Sequence, residues 1–240
     1  MWGISAATLG RAAHTTAASS PVGSMCEVTS IRARALTTVA AQLGNPHGPL
    51  GKIVARILNR ANRFAVDAAI EAAEVTPGSS AADIGFGGGV GLSVLLRRVG
   101  PDGTVHGVEI SPDMLSRVRS RFTADIGAGR LRVVEGSLTD LPLADGALDA
   151  VVTVNTVYFV AELDRACAEL ARILRPTGRV VVCIGDPEAM AGMPFTAYGF
   201  RLRPVAEVAA ALERAGLTVE HRRIDRRPIP AHLLIGRPAR

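Results

Sequence analysis

From about residue 76 the chain alternates short strand-like runs with helical stretches, and no other feature restricts its fold as strongly. The strand-like runs are Ser80–Ile84, Thr104–Ile110, Leu131–Glu135, Leu148–Val154 and Arg179–Ile184, with helical stretches at about 89–99, 112–125 and 161–174. Parallel strands need a long crossover, usually a helix, to lie side by side. The alternation therefore predicts an α/β fold, a mostly parallel sheet with helices on both faces. Turn residues punctuate it: Pro77-Gly78, Pro101-Asp102-Gly103 and Pro176-Thr177-Gly178. Ser111-Pro112-Asp113 reads as an N-cap, a proline at the first helical position and an acid in the first turn. A helix near 204–215 and two closely spaced strands, at 217–224 and Ala231–Gly236, bring the sheet to seven strands with an antiparallel edge strand.

The residues before this region differ in character. Residues 1–42 are rich in Ala, Ser and Thr, lack apolar periodicity and are expected to form a flexible tail, with Met25 an alternative start of the native chain. Residues 43–75 form a helical segment in which Ile53, Val54, Ile57, Leu58, Ala61 and Phe64 recur at helical spacing. The third region, 76–240, holds the alternating pattern. The net charge of +5 is unevenly placed, with basic residues gathered in 1–63 and 221–240 and a net acidic stretch between them. Basic flanks suit a nucleic-acid binder, but solvated termini account for them as well. Cys26, Cys167 and Cys183 are far apart and include no CxxC, which excludes a zinc pattern and a disulfide framework and points to a reducing cytosol. No metal site is expected. No run nears about 18 uninterrupted apolar residues, so no membrane span is expected.

The segment that carries chemistry is Asp83-Ile84-Gly85-Phe86-Gly87-Gly88-Gly89. An acid closes a strand, and glycines at alternate positions let backbone approach a ligand before a helix begins. A dinucleotide fingerprint needs Gly or Ala five residues after its first glycine, where this chain has Val90. A phosphate-binding P-loop needs Gly-Lys-Ser/Thr, and the only lysine, Lys52, lies outside the loop.

The segment resembles the first motif of class I S-adenosylmethionine-dependent methyltransferases, and further motifs follow in order. Val108-Glu109-Ile110-Ser111 ends the second strand with an acid; Leu141-Pro142-Leu143 and Leu148-Asp149-Ala150-Val151-Val152 lead through the fourth; Leu174-Arg175-Pro176-Thr177-Gly178-Arg179-Val180 leads into the fifth. The resemblance spans about 70–186 and is nearest to the small-molecule, methyltransferase type 11-like group. It implies a Rossmann-like, doubly wound sheet and S-adenosyl-L-methionine as cofactor. It implies that Gly85, Gly87 and Gly89 meet the cofactor, with Asp83 at its methionine end, Glu109 on both ribose hydroxyls and Ile110 on the adenine. Ser137 and the Leu138 backbone would border the adenine edge, and Asn155 would complete the site. The family often has an acid where this chain has Ser137.

The same resemblance narrows the acceptor. Asn155-Thr156-Val157-Tyr158 lacks the prolines of enzymes that methylate base amines, and neither Cys167 nor Cys183 follows a proline as a cytosine C5 nucleophile would. Asn155–Val160 also lacks the acids of polyamine-forming relatives. Five of the nine aromatic residues fall in two segments, Tyr158 and Phe159, then Phe195, Tyr198 and Phe200, joined by Met190 and Met193. In the family these segments, including a lid at about 185–203, border the acceptor. The substrate-binding candidates are therefore Tyr158, Phe159, Phe195 and Tyr198, and an apolar, aromatic or lipid-like small molecule suits them. His47, Tyr158, Asp186 and His221 are candidate general bases. The expected function is methyl transfer to a small acceptor; the alternatives are a non-catalytic cofactor-binding protein of the same fold and an RNA methyltransferase.

Overall fold

The alternating runs become strands where β-branched and aliphatic side chains fall in sequence, and helices where apolar residues recur at helical spacing. In a computed structural model of the protein, which describes residues 63–197, 199–225 and 229–239 and leaves the Phe195 side chain aside, the strands are β1 (Ser80–Ile84), β2 (Thr104–Glu109), β3 (Leu131–Glu135), β4 (Leu148–Val154), β5 (Leu174–Gly185), β6 (Leu217–Ile224) and β7 (Ala231–Pro238). The helices are α1 (residues 63–72), α2 (Val90–Val99), α3 (Pro112–Arg121), α4 (Thr123–Gly127), α5 (Leu163–Arg172), α6 (Pro187–Ala191) and α7 (Val205–Arg214). The expected tail at 1–42, His47 and most of the segment at 43–75 lie outside the described residues.

The seven strands form one sheet of order β3-β2-β1-β4-β5-β7-β6. β1 through β5 pair in parallel, whereas β7 is antiparallel to both β5 and β6. The antiparallel element at the sheet's end agrees with the sequence pattern. Its order does not follow the chain, however: the last strand inserts inside, and β6 is outermost. Neighbouring residues of each central strand face opposite sides. Ala81, Val105, Val181 and Leu233 pack with Ile70, Leu92, Leu95, Met114 and Leu115 of α1–α3. Ala82, Val151, Val182 and Leu234 pack with Leu163, Leu170, Val208 and Leu212 of α5 and α7. The result is three layers, helix, sheet and helix.

Two elements differ from the sequence expectation. The helix expected over 112–125 breaks at Phe122, whose backbone leaves helical geometry at φ −110° and ψ 29°. Its buried ring lies beneath the glycine loop, where a Cβ on Gly89 would come within 3.3 Å of it. The fifth strand starts earlier than expected: Leu148 pairs with Leu174, but Ala150 pairs with Arg179. Arg175–Gly178 therefore bulge out opposite Asp149, and the Pro176-Thr177-Gly178 turn sits inside the strand. Arg175 Nη1 donates to both Asp149 oxygens at 2.7 Å.

Arg172, at the end of α5, clamps the loop that leads into β4. Its Nε and Nη2 donate to the two Glu169 oxygens at 2.7 and 2.8 Å. The remaining N–H groups reach the carbonyls of Leu143 and Leu141 at 2.8 and 3.0 Å and Asp145 Oδ1 at 2.5 Å. The guanidinium has five N–H donors, and each meets an acceptor. An ammonium cannot reproduce that fork. Arg172→Lys is therefore expected to lower stability by about 1.5–3 kcal/mol, the range for hydrogen bonds to charged groups. A urea titration showing an unchanged midpoint would contradict the clamp.

Candidate cofactor site

The order of strands reverses between β1 and β4, and open α/β sheets bind ligands at the carboxyl edge of such a switch. Four strand ends meet there. After β1 the chain turns through Gly85, Gly87 and Gly89 at φ +74°, +51° and +75°. Side chains rarely adopt these angles. A Cβ at Gly85 would strike Thr156 Oγ1 at 2.5 Å, whereas at Gly87 it would meet nothing within 4 Å. The Gly87 backbone thus faces open space. Phe86, between these glycines, is buried against Gly107 of β2 and anchors the loop.

Two carboxylates end the adjacent strands β1 and β2. Glu109 is buried, with Oε2 accepting from Gly87 N at 2.8 Å and Oε1 from the N–H groups of Ile110 and Ser111 at 2.9 and 3.1 Å. A carboxylate offers roughly four lone-pair sites. Three are taken, so the expected bidentate grip on two ribose hydroxyls is reduced to one acceptor position on Oε2, unless Gly87 releases its bond. Beside Glu109 the Ile110 side chain is 54% exposed, an apolar surface at the mouth of an acidic edge. Asp83 lies deeper, at 5% exposure. The first turn of α2 passes directly over it, and a Cβ on Gly91 would overlap the carboxylate. Sequence reading missed Gly91. Its signal is a helix-interior glycine immediately after the glycine loop.

The loop after β3 folds back on itself. Ser137 and Asp140 form an antiparallel bridge, with Asp140 N donating to the Ser137 carbonyl at 3.0 Å. Ser137 Oγ is shared with Thr139, 2.9 Å from its hydroxyl. The Leu138 side chain is buried in the core, so only its backbone borders the edge. Asn155, just past β4, is held at φ +58°.

Tyr158 does not sit as a free general base or as an open wall. It is 2% exposed, its Oη accepts from Gly185 N at 2.6 Å, and it lies 3.3 Å from Asn155 Oδ1. Burial pushes its phenol well above the ordinary value, so it cannot take a proton at neutral pH. It ties the end of β4 to the end of β5 instead. Phe159, by contrast, is 36% exposed and packs edge-on against Phe200 with centroids 4.8 Å apart. Met190 lies against Gly185, where a Cβ would come within 2.8 Å of its sulfur. His221 is remote from the glycine loop in the fold, on the outermost strand, and bonds to His232 Nδ1 at 2.8 Å. His47, Tyr198 and the Phe195 side chain fall outside the described residues. Among the described residues, no group of three or more His, Cys, Asp or Glu is arranged to hold a metal.

Residues 82–182 match the model of a family described as a methyltransferase domain. Over that stretch the chain is similar to methyltransferase domains, in agreement with the resemblance read from its motifs. It is 34% identical over 110 residues to an arsenite methyltransferase of Halobacterium salinarum, covering 46% of this chain and 28% of that protein. It is 32% identical over 147 residues to a demethylmenaquinone methyltransferase of Thermus thermophilus, covering 60% of this chain and 64% of that one. The chain thus spans less than two thirds of either relative. A crystal structure described as a SAM-dependent methyltransferase from Aquifex aeolicus superposes with a TM-score of 0.63 at 19% identity, covering 83% of this chain and 97% of that one. The seven-stranded, mostly parallel sheet is the fold they share.

In this methyltransferase fold Asp83 carries a stability cost. Burial first, and the Glu109 carboxylate second, push its carboxyl up to about 7 from an ordinary 3.8. Between those values the folded state holds a proton that the unfolded chain has released. Stability therefore falls as pH rises from about 4 to about 7 and levels off above that. Asp83→Asn removes the ionisation. Its melting temperature relative to the parent is expected to be higher at pH 8 than at pH 5. A difference that does not change with pH would mean that no buried charge develops at Asp83.

Proposed function

We propose that the chain transfers a methyl group from S-adenosylmethionine to a small, flat, apolar acceptor. The observation that carries this reading is an exposed aromatic ring, Phe159, packed on half-buried Phe200 beyond the end of β4, on the same sheet edge as the glycine loop, Glu109 and exposed Ile110. The residues fit the cofactor. The turn through Gly85, Gly87 and Gly89 presents the open Gly87 backbone for close approach, and Glu109 Oε2 takes a ribose hydroxyl. Ile110 covers the adenine, and Ser137 and the Leu138 backbone border its edge. Asp83 and Asn155 hold the methionine end. Bound S-adenosylmethionine supplies a methyl group already activated by its sulfonium charge. The protein's residues then have to bind, orient and exclude water rather than build a nucleophile. Phe159, with Phe195 and Tyr198, forms the acceptor wall, and residues 185–203 form the lid over it. Tyr158 stands behind that wall as a tie.

The relatives favour a quinone over a metalloid. Cys167 and Cys183 are buried, and burial pushes both thiols up to about 12. Neither therefore offers a thiolate to arsenite, which wants soft sulfur ligands. Demethylmenaquinone, the acceptor in the name of the Thermus thermophilus relative, matches the aromatic wall. Unpaired thiols also fit a reducing cytosol as the compartment. RNA is disfavoured because Arg222 and Arg223 are engaged by the adjacent carboxylates of Glu220 at 2.6 Å and Asp225 at 3.0 Å. No helix of the described residues is long and apolar enough to cross a membrane.

The test is calorimetry with S-adenosylhomocysteine, followed by transfer of labelled methyl to reduced demethylmenaquinone, arsenite and RNA. Glu109→Ala is expected to weaken cofactor binding by about 1.5–3 kcal/mol, the loss of a charge-assisted hydrogen bond. Phe159→Ala is expected to raise the KM for the quinol while leaving cofactor affinity unchanged. Label appearing in arsenite or RNA, and not in the quinol, would replace this reading.

A further inference from the structure

A hydrogen-bonded chain of three titratable side chains runs from the acceptor edge to the outer strand. Asp186 follows β5 directly. Its Oδ1 accepts from Ala189 N at 2.9 Å and so caps α6, and its Oδ2 lies 3.0 Å from His232 Nε2. His232, on β7, is 5% exposed, and its Nδ1 lies 2.8 Å from Nε2 of exposed His221 on β6. We propose that His232 is the positioning residue of the acceptor lid, acting through Asp186, and that His221 fixes the tautomer this requires. The proposal rests on the reading of residues 185–203 as the acceptor lid.

The bonding arithmetic requires a particular hydrogen placement. The hydrogen bond from Ala189 N and that to His232 hold the Asp186 carboxyl below its ordinary range. Asp186 is therefore ionised at neutral pH and can only accept. His232 Nε2 must then carry a hydrogen. In neutral His232 this leaves Nδ1 bare, and among the described residues the group placed to donate to it is His221 Nε2–H. If His232 gains a proton, the link reverses and His221 Nε2 accepts, while the bond to Asp186 is kept and becomes charge-assisted. In both states His232 Nε2–H points at Asp186. A ring free to choose its tautomer would present a lone pair to the carboxylate in part of the population, and the two would repel.

What Asp186 holds is the start of the lid. Its backbone N–H donates to the Pro230 carbonyl at 2.8 Å, beside His232 in sequence. α6 then carries Met190 onto Gly185, and Thr196 Oγ1 donates to the carbonyls of Met190 and Met193 at 3.0 and 2.8 Å. At the far end Arg201 N donates to the Tyr158 carbonyl at 2.8 Å, and Arg203 reaches the carbonyls of Val157 and Val160 at 2.9 and 2.6 Å. The segment is a strap pinned at both ends. The Arg203 pin rests on backbone carbonyls next to Phe159. The Asp186 pin rests on its backbone bond to Pro230 and, at the side chain, on a buried histidine.

The experiment uses the full chain carrying His232→Ala, His232→Gln or His221→Phe. It reads amide hydrogen exchange at Ala189, Met190 and Met193, affinity for S-adenosylhomocysteine, and kinetics with reduced demethylmenaquinone. His232→Ala is expected to speed Ala189 exchange about tenfold or more, as loss of a charge-assisted hydrogen bond does. It is expected to raise the quinol KM by a similar factor while kcat and cofactor affinity stay near the parent's. His232→Gln, whose amide N–H can reach Oδ2, is expected to restore both. Unchanged Ala189 exchange in a folded His232→Ala protein overturns the proposal, as does failure of Gln to rescue. If His232→Ala does not fold, His221→Phe must still speed Ala189 exchange, and no change there overturns it. If the parent chain binds S-adenosylhomocysteine but does not methylate the quinol, the acceptor reading fails, and the exchange data alone decide the role of His232.

Discussion

Two carboxylates at the ends of adjacent parallel strands set the terms for everything around them. Asp83 and Glu109 cannot both sit uncompensated inside the protein, because a buried charge needs hydrogen-bond donors or protonation. Glu109 is supplied with three backbone N–H groups, one of them from the glycine loop. That bond joins the turn after β1 to the end of β2 and holds the loop in place. Asp83 receives less and keeps its proton up to about pH 7. Gly85, Gly89 and Gly91 are small because Thr156, the ring of Phe122 and the Asp83 carboxylate occupy the space side chains would need. A protein selected for stability alone would not bury an acid this way.

The cofactor half was legible in the sequence because its parts are contiguous or separated by one regular βα unit. Asp83 through Gly89 and Glu109-Ile110 keep their spacing from strand end to strand end, so pattern alone puts them on one edge. The acceptor half depends on side-chain environment, which spacing does not encode. Tyr158 reads as an aromatic wall but folds inward, because its hydroxyl finds the Gly185 backbone. The break at Phe122 comes from a ring drawn under the glycine loop, a tertiary effect stronger than helical period. The Asp186–His232–His221 chain was hidden because its members come from the turn after β5, from β7 and from β6, and the insertion of β7 between β5 and β6 brings them together. The one available signal was a histidine in an otherwise apolar strand, Ala231-His232-Leu233-Leu234.

The shared fold constrains the cofactor more than the chemistry. Function on such a scaffold follows from the residues beyond β4 and β5, not from the sheet. In this chain those residues are aromatic and sulfur-containing, and the loops that carry them are held by the Tyr158 hydroxyl on Gly185 N, by Arg201 N on the Tyr158 carbonyl and by the Arg203 guanidinium on the Val157 carbonyl.

The placement of β7 has a consequence for the order in which the molecule is assembled. Chains emerge from the ribosome N-terminus first, and domains fold as their parts become available. The strands that carry the glycine loop and Glu109 are made early and pair with near neighbours in sequence. β5, by contrast, must wait with an open edge while α7 and β6 are synthesised, because its partner β7 is the last strand made. β6 cannot add to the sheet before then either. During that interval a nascent chain exposes the apolar edge of a central strand, the kind of surface that draws chaperones and mispairing partners. Completion of the sheet and arrival of His232 beneath the strap are one event.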